Sequence, residues 1–255
     1  MTQEISPTSD EILNFIRELK PYLTEHPLIR IGPNHDSGYL LPNDLLGIKN
    51  CYSAGVGISS DFEIGLANRK IRSFMADASV EGPILPSNTP DSFLSYFVFD
   101  KKFVGLTDSG DYITLKTWVN NYTPNDNNLI LQMDIEGGEY EVIQSTPNDI
   151  FDKFRIIVIE FHHLQLLWDR ESFENLKVFF GKILKNFTVV HLHPNNNVAP
   201  FIKDGISIPP VLEITFIRND RVTQKTPAKT FPHQLDFESA ANLPSFPLPQ
   251  EWYSS

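Results

Sequence analysis

Hydrophobic positions along the chain fall into two alternating rhythms. Apolar runs of strand length, rich in β-branched and aromatic residues, lie at 50–56 (NCYSAGV), 71–77 (IRSFMAD), 102–107 (KFVGLT), 128–134 (NLILQMD), 155–161 (RIIVIEF), 187–193 (FTVVHLH) and 211–218 (VLEITFIR). Helical spacing of apolar residues appears between several of them, at 59–69, 114–122, 138–146 and 172–186. An earlier helix is predicted with Ser9 as its N-cap, Ile12, Phe15, Ile16 and Leu19 on one face, and Pro21 as its stop. This alternation predicts βαβ units, and hence an α/β fold with a mostly parallel sheet and helices on both faces. The runs at 128–133 and 155–159 are almost continuously apolar, the pattern of central strands covered on both sides. No internal repeat is visible.

From Asn219 on the rhythm stops. The segment is rich in proline (TPAKTFPHQ, NLPSFPLPQEW), yet it carries Phe231, Leu235, Phe237, Phe246 and Trp252, which are costly to leave in water. An extended strap over the domain is expected in preference to a disordered tail. The division that follows is an N-terminal helical addition at 1–27, a single domain at 28–218 and a strap at 219–255. A chain of 255 residues buries roughly 70% of its unfolded surface and needs no disulfide or metal to fold.

Composition and charge narrow the partners. Cys51 is the only cysteine, which excludes an internal disulfide framework and Cys-rich metal sites. A formal net charge of −11 argues against nucleic acid or an anionic membrane as a partner. The N-terminus MTQEISPTSDEILNF has no basic region followed by an apolar run, and no apolar stretch approaches the ~20 residues of a membrane span. The sequons NYT and NFT are accordingly read as incidental, and a soluble cytoplasmic protein is expected. No coiled coil or interface stripe indicates an oligomeric state.

Two strand ends carry candidate chemistry. In CYSAGVGISSDFEIGLA a strand runs through Gly55 and Gly57 into a helix, and about 20 residues on the next strand ends in Asp77. Glycines there let backbone N–H groups approach a ligand, and the acid is placed to accept hydrogen bonds from ribose hydroxyls. The alternative is an ordinary tight turn with a solvated aspartate. The second end is LQMDIEGGEYEVI, residues 131–143, where an apolar run stops in Asp134 and Glu136 before two glycines. Glu139 and Glu141 fall in the first turn of the following helix, where its dipole favours negative charge. Asp134 and Glu136 precede the helix and are the functional candidates.

Four of the seven histidines lie in VIEFHHLQ and VVHLHPNNN. Strand alternation places Glu160 and His162 on one face with Val158, and Phe161 and His163 on the other; His191 and His193 share a face. Three roles compete. Asp134, Glu160 and a histidine such as His162 are a candidate set for a divalent metal such as Mg²⁺, His162 or His193 is a candidate metal-free general base, and the histidines are otherwise plain pocket lining. Asn195, Asn196 and Asn197 are either substrate hydrogen-bonders or a turn.

The segment LILQMDIEGGEYEVIQ resembles the signature of the FkbM-type methyltransferases, a strand ending in Asp-(Val/Ile)-Glu-Gly-(Ala/Gly)-Glu before a helix. YITLKTWVNNY is similar to the segment that precedes that strand in the family, and YSAGVGISSDFEIGLA stands where its cofactor loop does. The resemblance covers about residues 28–218. It implies a Rossmann-like class I methyltransferase with a seven-stranded sheet whose last strand is antiparallel, and methyl transfer from S-adenosylmethionine, usually to a hydroxyl of a sugar or small metabolite. It implies that Ser53, Gly55, Gly57, Asp61, Asp77 and Asp134 bind the cofactor, with Asp134, Glu160 and His162 nearest the deprotonation step. Ser53 stands where many methyltransferases carry an acid that meets the methionine amino group, which leaves Asp134 to provide that charge. IRIGPNHDSGYLLPND, with Asp36, Gly38 and Tyr39, reads as a lid or as a structural hairpin turn, with serine where related sequences carry the first glycine of Asp-Gly-Gly-Tyr. An NAD-dependent oxidoreductase is the second enzyme class, though no Tyr-x-x-x-Lys pair is present. A cofactor-binding module without turnover is the third.

Overall fold

The computed structural model describes residues 6–57 and 59–254. Residues 1–5 of the N-terminal addition, Ile58 of the glycine loop and Ser255 lie outside the described residues.

Seven strands form one sheet: β1 (Asn50–Ala54), β2 (Arg72–Ala76), β3 (Phe97–Asp100), β4 (Leu129–Met133), β5 (Phe154–Phe161), β6 (Phe187–Pro194) and β7 (Leu212–Arg218). Their spatial order is β6-β7-β5-β4-β1-β2-β3. The ladder runs parallel from β3 through to β5, and β7 is antiparallel to both β5 and β6. The chain thus winds outward from β1 in one direction, returns, and winds outward from β4 in the other. That reversal opens a crevice at the carboxyl ends of β1 and β4.

Among the described residues six α-helices accompany the sheet: α1 (Ser9–Glu18), α2 (Asp61–Ala67), α3 (Leu115–Tyr122), α4 (Glu139–Ser145), α5 (Asn148–Phe151) and α6 (Arg170–Leu184). Alternate residues of β5 feed two cores. Ile157, Ile159 and Phe161 join α1 and α3–α6 on one face, while Ile156 and Val158 meet Phe62 and Leu66 of α2 on the other. Glu160 follows the second set in register.

Three local expectations change. The cap of α1 is Thr8, not Ser9, because Thr8 and Glu11 close a reciprocal capping box. The run at 102–107 is not a sheet strand. Phe103–Val104 pairs only with Tyr112–Ile113 in a two-residue ladder, and the aromatic run FVFD at 97–100 is the strand that pairs β2. The segment 29–44 is a hairpin, Leu28–Ile31 against Tyr39–Pro42, and its loop also reaches the crevice.

Ser37 in that loop has φ +66°, the left-handed region where a Cβ costs roughly 1–2 kcal/mol. Ser37→Gly is therefore expected to raise stability by about 1 kcal/mol, read as a higher urea midpoint at unchanged slope.

Past β7 the chain lies back on the domain. Trp252 is fully buried with its Nε1–H donating to Ser207 O (3.1 Å), and Leu248 is buried beside the same core. Asn196 accepts from Ala240 N (2.9 Å) and donates to Ala240 O (2.8 Å). Two large apolar side chains buried this way contribute roughly 2–3 kcal/mol each toward holding the proline-rich segment in place. Among the described residues no helix is long and apolar enough to cross a membrane.

Candidate active site

Two adjoining cavities of about 560 and 310 Å³ occupy the crevice and share Gly55, Asp77, Ser79, Asp134 and Glu136. Gly55 is where β1 and β4 come closest. Its φ is +79°, and a Cβ there would lie 1.7 Å from the Asp134 carbonyl oxygen. The close approach that requires a glycine is thus to protein backbone. Gly57 differs: its φ is +57° and nothing lies within 4 Å of its would-be Cβ.

Asp77 ends β2 opposite this turn. One carboxylate oxygen accepts from Val56 N (3.1 Å) and Gly57 N (3.0 Å), the other from Ser79 N (2.8 Å) and Ser79 Oγ (2.6 Å). Burial works against ionisation here, but these four donors outweigh it and hold the carboxyl below its usual range. Asp77 therefore ties the glycine loop to the end of β2.

Ser53 and Asp61 do not line the crevice. Ser53 is fully buried on β1, with its Oγ between a Glu63 carboxylate oxygen and Gln132 Oε1 (2.6 Å from the latter). Asp61 opens α2 and is engaged with Ser59, whose Oγ donates to it at 2.6 Å. One hydroxyl proton cannot serve two acceptors, so the Ser53 trio is satisfied either when Glu63 carries a proton or when the Gln132 amide presents its NH2 group to Ser53. Burial pushes Glu63 up to about 7, against the smaller effect of the Ser53 bond. Glu63 lines the narrower cavity, and sequence reading passed over it. Its signal was faint: an acid on the apolar side of a short helix, between Phe62 and Leu66.

At the end of β4, Asp134 faces both cavities, and the turn that follows is built around Glu139. Glu139 is fully buried, and its Oε1 accepts from Ile135 N, Gly137 N and His162 Nδ1, each at 3.1 Å. The expectation that Glu139 serves only the helix dipole is corrected on this point. Three donors converge on it, and one belongs to β5's extension. Only the fold could reveal that, since Glu139 and His162 are 23 residues apart. Glu141 stays exposed and lines the larger cavity.

The His162 ring has its other nitrogen, Nε2, 3.4 Å from Glu160, 3.5 Å from Glu136 and 3.9 Å from Asp134. Burial disfavours its charge, but the carboxylates of Glu139 and Glu160 outweigh burial and raise it to about 10. At neutral pH this ring is an imidazolium. Asp134 is pushed up to about 8, first by burial and then by the Glu160 charge. Neither His162 nor Glu160 lines the cavities; both stand one layer behind Asp134 and Glu136. Asp134, Glu160 and His162 each offer a ligand atom, all within 4.8 Å of one another, and Asp134 Oδ1 is buried with no hydrogen-bond partner.

The other histidines lie apart from this group. His191 and His193 do share a face, where Asp236 of the C-terminal segment takes His191 Nε2 at 2.9 Å and lies 3.7 Å from His193 Nδ1. Glu213 on β7 stands in register between Glu160 and His193. Two of the three asparagines are likewise spent inside the protein, Asn195 donating to Glu160 (3.1 Å) and Asn196 anchoring the C-terminal segment, while Asn197 is exposed. His163 closes β5 in the left-handed region, with its ring against Gly137.

A seven-stranded sheet reversing between β1 and β4, with its antiparallel strand second from the edge and a glycine-turned crevice at the carboxyl ends, has the class I methyltransferase architecture. Residues 87–188 match the family described as the methyltransferase FkbM domain. That stretch contains Asp134, Glu139, Glu160 and His162; the glycine loop and Asp77 precede it. No curated protein matches the chain. Among solved structures, a putative rRNA-methylase from Clostridium thermocellum is 14% identical with a TM-score of 0.39, covering 67% of this chain and 88% of that one. A putative RNA methyltransferase from Pyrococcus horikoshii is 13% identical with a TM-score of 0.37, covering 83% of this chain and 99% of that one.

Proposed function

We propose that this protein transfers the methyl group of S-adenosylmethionine to a hydroxyl of a sugar or other small metabolite. The observation that carries the reading is the position of Asp134: it faces the crevice between the glycine loop and the Glu160–His162 pair.

The crevice fits the cofactor on three counts. It lies at the reversal of strand order, Gly57 leaves open space in the loop, and acids line its walls. Gly55, Gly57, Asp77 and Asp134 would hold the cofactor there. When bound, the cofactor supplies an electrophilic methyl group whose transfer needs little covalent help. The protein's task is then to align an acceptor oxygen and remove its proton.

Asp134 is the group placed to take that proton. It lines the crevice, whereas the imidazole of His162 stands 3.9 Å behind it. His162, fixed by Glu139 through Nδ1, presents positive charge to Asp134 and Glu160 and stabilises their ionised forms. This moves the base from the histidine, as the strand pattern suggested, to the aspartate in front of it.

The acceptor is read as uncharged or cationic because carboxylates line both cavities and no lysine or arginine does. With a net charge of −11, the same balance weighs against nucleic acid.

A second reading places a divalent cation between Asp134, Glu160 and His162, where it would acidify the acceptor hydroxyl. The partnerless Asp134 Oδ1 favours it. An imidazole in the set suits Mn²⁺ or Zn²⁺ better than Mg²⁺.

Calorimetric titration with S-adenosylhomocysteine and NAD, each with and without Mg²⁺ or Mn²⁺, tests both readings. Micromolar binding of the first and none of the second is expected, followed by label transfer from methyl-tritiated cofactor across a panel of sugars and hydroxylated metabolites. Binding of NAD alone would overturn the proposal, and metal-independent binding and turnover would remove the second reading.

A further inference from the structure

Asp36, Glu63, Asp77, Asp134, Glu136 and Glu141 line the two cavities. Five of these have water, several hydrogen-bond donors or a cationic ring in reach. Asp36, Glu136 and Glu141 are exposed to water, Asp77 is met by four donors, and Asp134 faces the His162 ring.

Glu63 is the exception. It is only 3% exposed, its carboxyl touches the Ser53 hydroxyl, and among the described residues no cation pairs with it. A buried carboxylate is stable only when paired or protonated, and burial here outweighs the Ser53 bond in favour of the protonated form. Yet the side chain borders the narrower cavity, beside Gly55, Gly57 and Gln132. Burial holds the carboxyl toward its protonated form, and a positively charged group entering that cavity would pair with it and favour the ionised form. The cavity is about 310 Å³ and is also lined by the glycine loop, which leaves room there for the charged end of a bound ligand.

We propose that Glu63 receives a ligand ammonium group, namely the α-amino group of the cofactor's methionine moiety. In this arrangement α2 supplies the charge that β1, with Ser53, does not carry. Asp134 is thereby released from that duty to face the acceptor. The assignment rests on the S-adenosylmethionine reading above. It leads to a distinct expectation, because it concerns one end of the ligand only.

The test compares two ligands on two proteins. S-adenosylhomocysteine carries the amino group, and 5′-methylthioadenosine keeps the nucleoside and sulfur but lacks the amino acid. Glu63→Gln copies the protonated side chain in shape and hydrogen bonding, so the fold is retained. Binding of 5′-methylthioadenosine by the variant reports on that directly. Glu63→Gln is expected to weaken S-adenosylhomocysteine binding about 10- to 100-fold, the range for one charge-assisted hydrogen bond, and to leave 5′-methylthioadenosine within about twofold. Equal losses for both ligands, or no loss for either, would overturn the role of Glu63 while the wild-type titration still supported the cofactor. Should the variant bind neither, wild-type protein decides between the same outcomes: a desamino analogue bound as tightly as S-adenosylhomocysteine overturns the proposal. Wild-type protein that binds no nucleoside overturns the methyltransferase reading and this inference together.

Discussion

Replacing His162 with asparagine is expected to lower methyl transfer about 10²- to 10³-fold while S-adenosylhomocysteine affinity stays within about twofold. The reasoning follows the two ring nitrogens. Nδ1 is held by the fully buried Glu139 at 3.1 Å, and an asparagine amide reaches nearly the same point, so Glu139 keeps a donor. Nε2, which faces Glu160, Glu136 and Asp134, has no counterpart in asparagine. The variant therefore removes a positive charge from behind Asp134 without emptying the space around Glu139. Cofactor affinity is spared because His162 does not line the crevice. His162→Ala makes the contrast: beyond the lost charge, it takes the third donor from the buried Glu139 and empties the space beside it, a change that costs on the order of 3–5 kcal/mol. Thermal melting beside single-turnover kinetics separates the two variants. Unchanged turnover in the asparagine variant would reduce His162 to a structural counter-ion of Glu139.

The second large effect is on folding. Gly55→Ala is expected to cost more than ~4 kcal/mol and leave little folded protein, whereas Gly57→Ala costs only about 1 kcal/mol. Both residues have positive φ, so backbone strain alone cannot distinguish them. Space does. A methyl at 55 collides with the Asp134 carbonyl at 1.7 Å, and neither β1 nor β4 can retreat without breaking the ladder they share. A methyl at 57 enters open volume, so its cost is strain and whatever it takes from the ligand. Urea titration of the two variants measures the first difference, and S-adenosylhomocysteine titration of Gly57→Ala measures the second. Equal destabilisation would mean that the β1–β4 contact relaxes and that Gly55 serves the ligand after all.

The candidate site was partly legible before the fold. Asp134 stands out because four apolar residues precede it in a run too hydrophobic to end in solvent, and Glu160 with His162 because alternation places both on one face. Glu139 was misassigned for a physical reason: an acid in a first helical turn is adequately explained by the helix dipole, and nothing local reveals that a histidine on another strand converges on it. Glu63 was passed over because a single acid among apolar residues in a short helix looks like an exposed position. The strand at 97–100 lost to the run at 102–107 since both are aromatic and β-rich; what selects between them is a free edge on β2, which is not a local property.

The sequence by itself determined the layering of this protein, because the periods of two and 3.6 residues are set by backbone geometry and survive without neighbours. It also determined that Asp134 and Glu160 end central strands, since continuous apolar runs have one place in such a sheet. Only the tertiary structure decided which acids share a histidine, which glycine yields to a carbonyl and which to open space, and which carboxylate is left buried without a cation. Those are distances between residues far apart in the chain, fixed when sheet and helices close on one another and a shift of an ångström changes which partner is in reach.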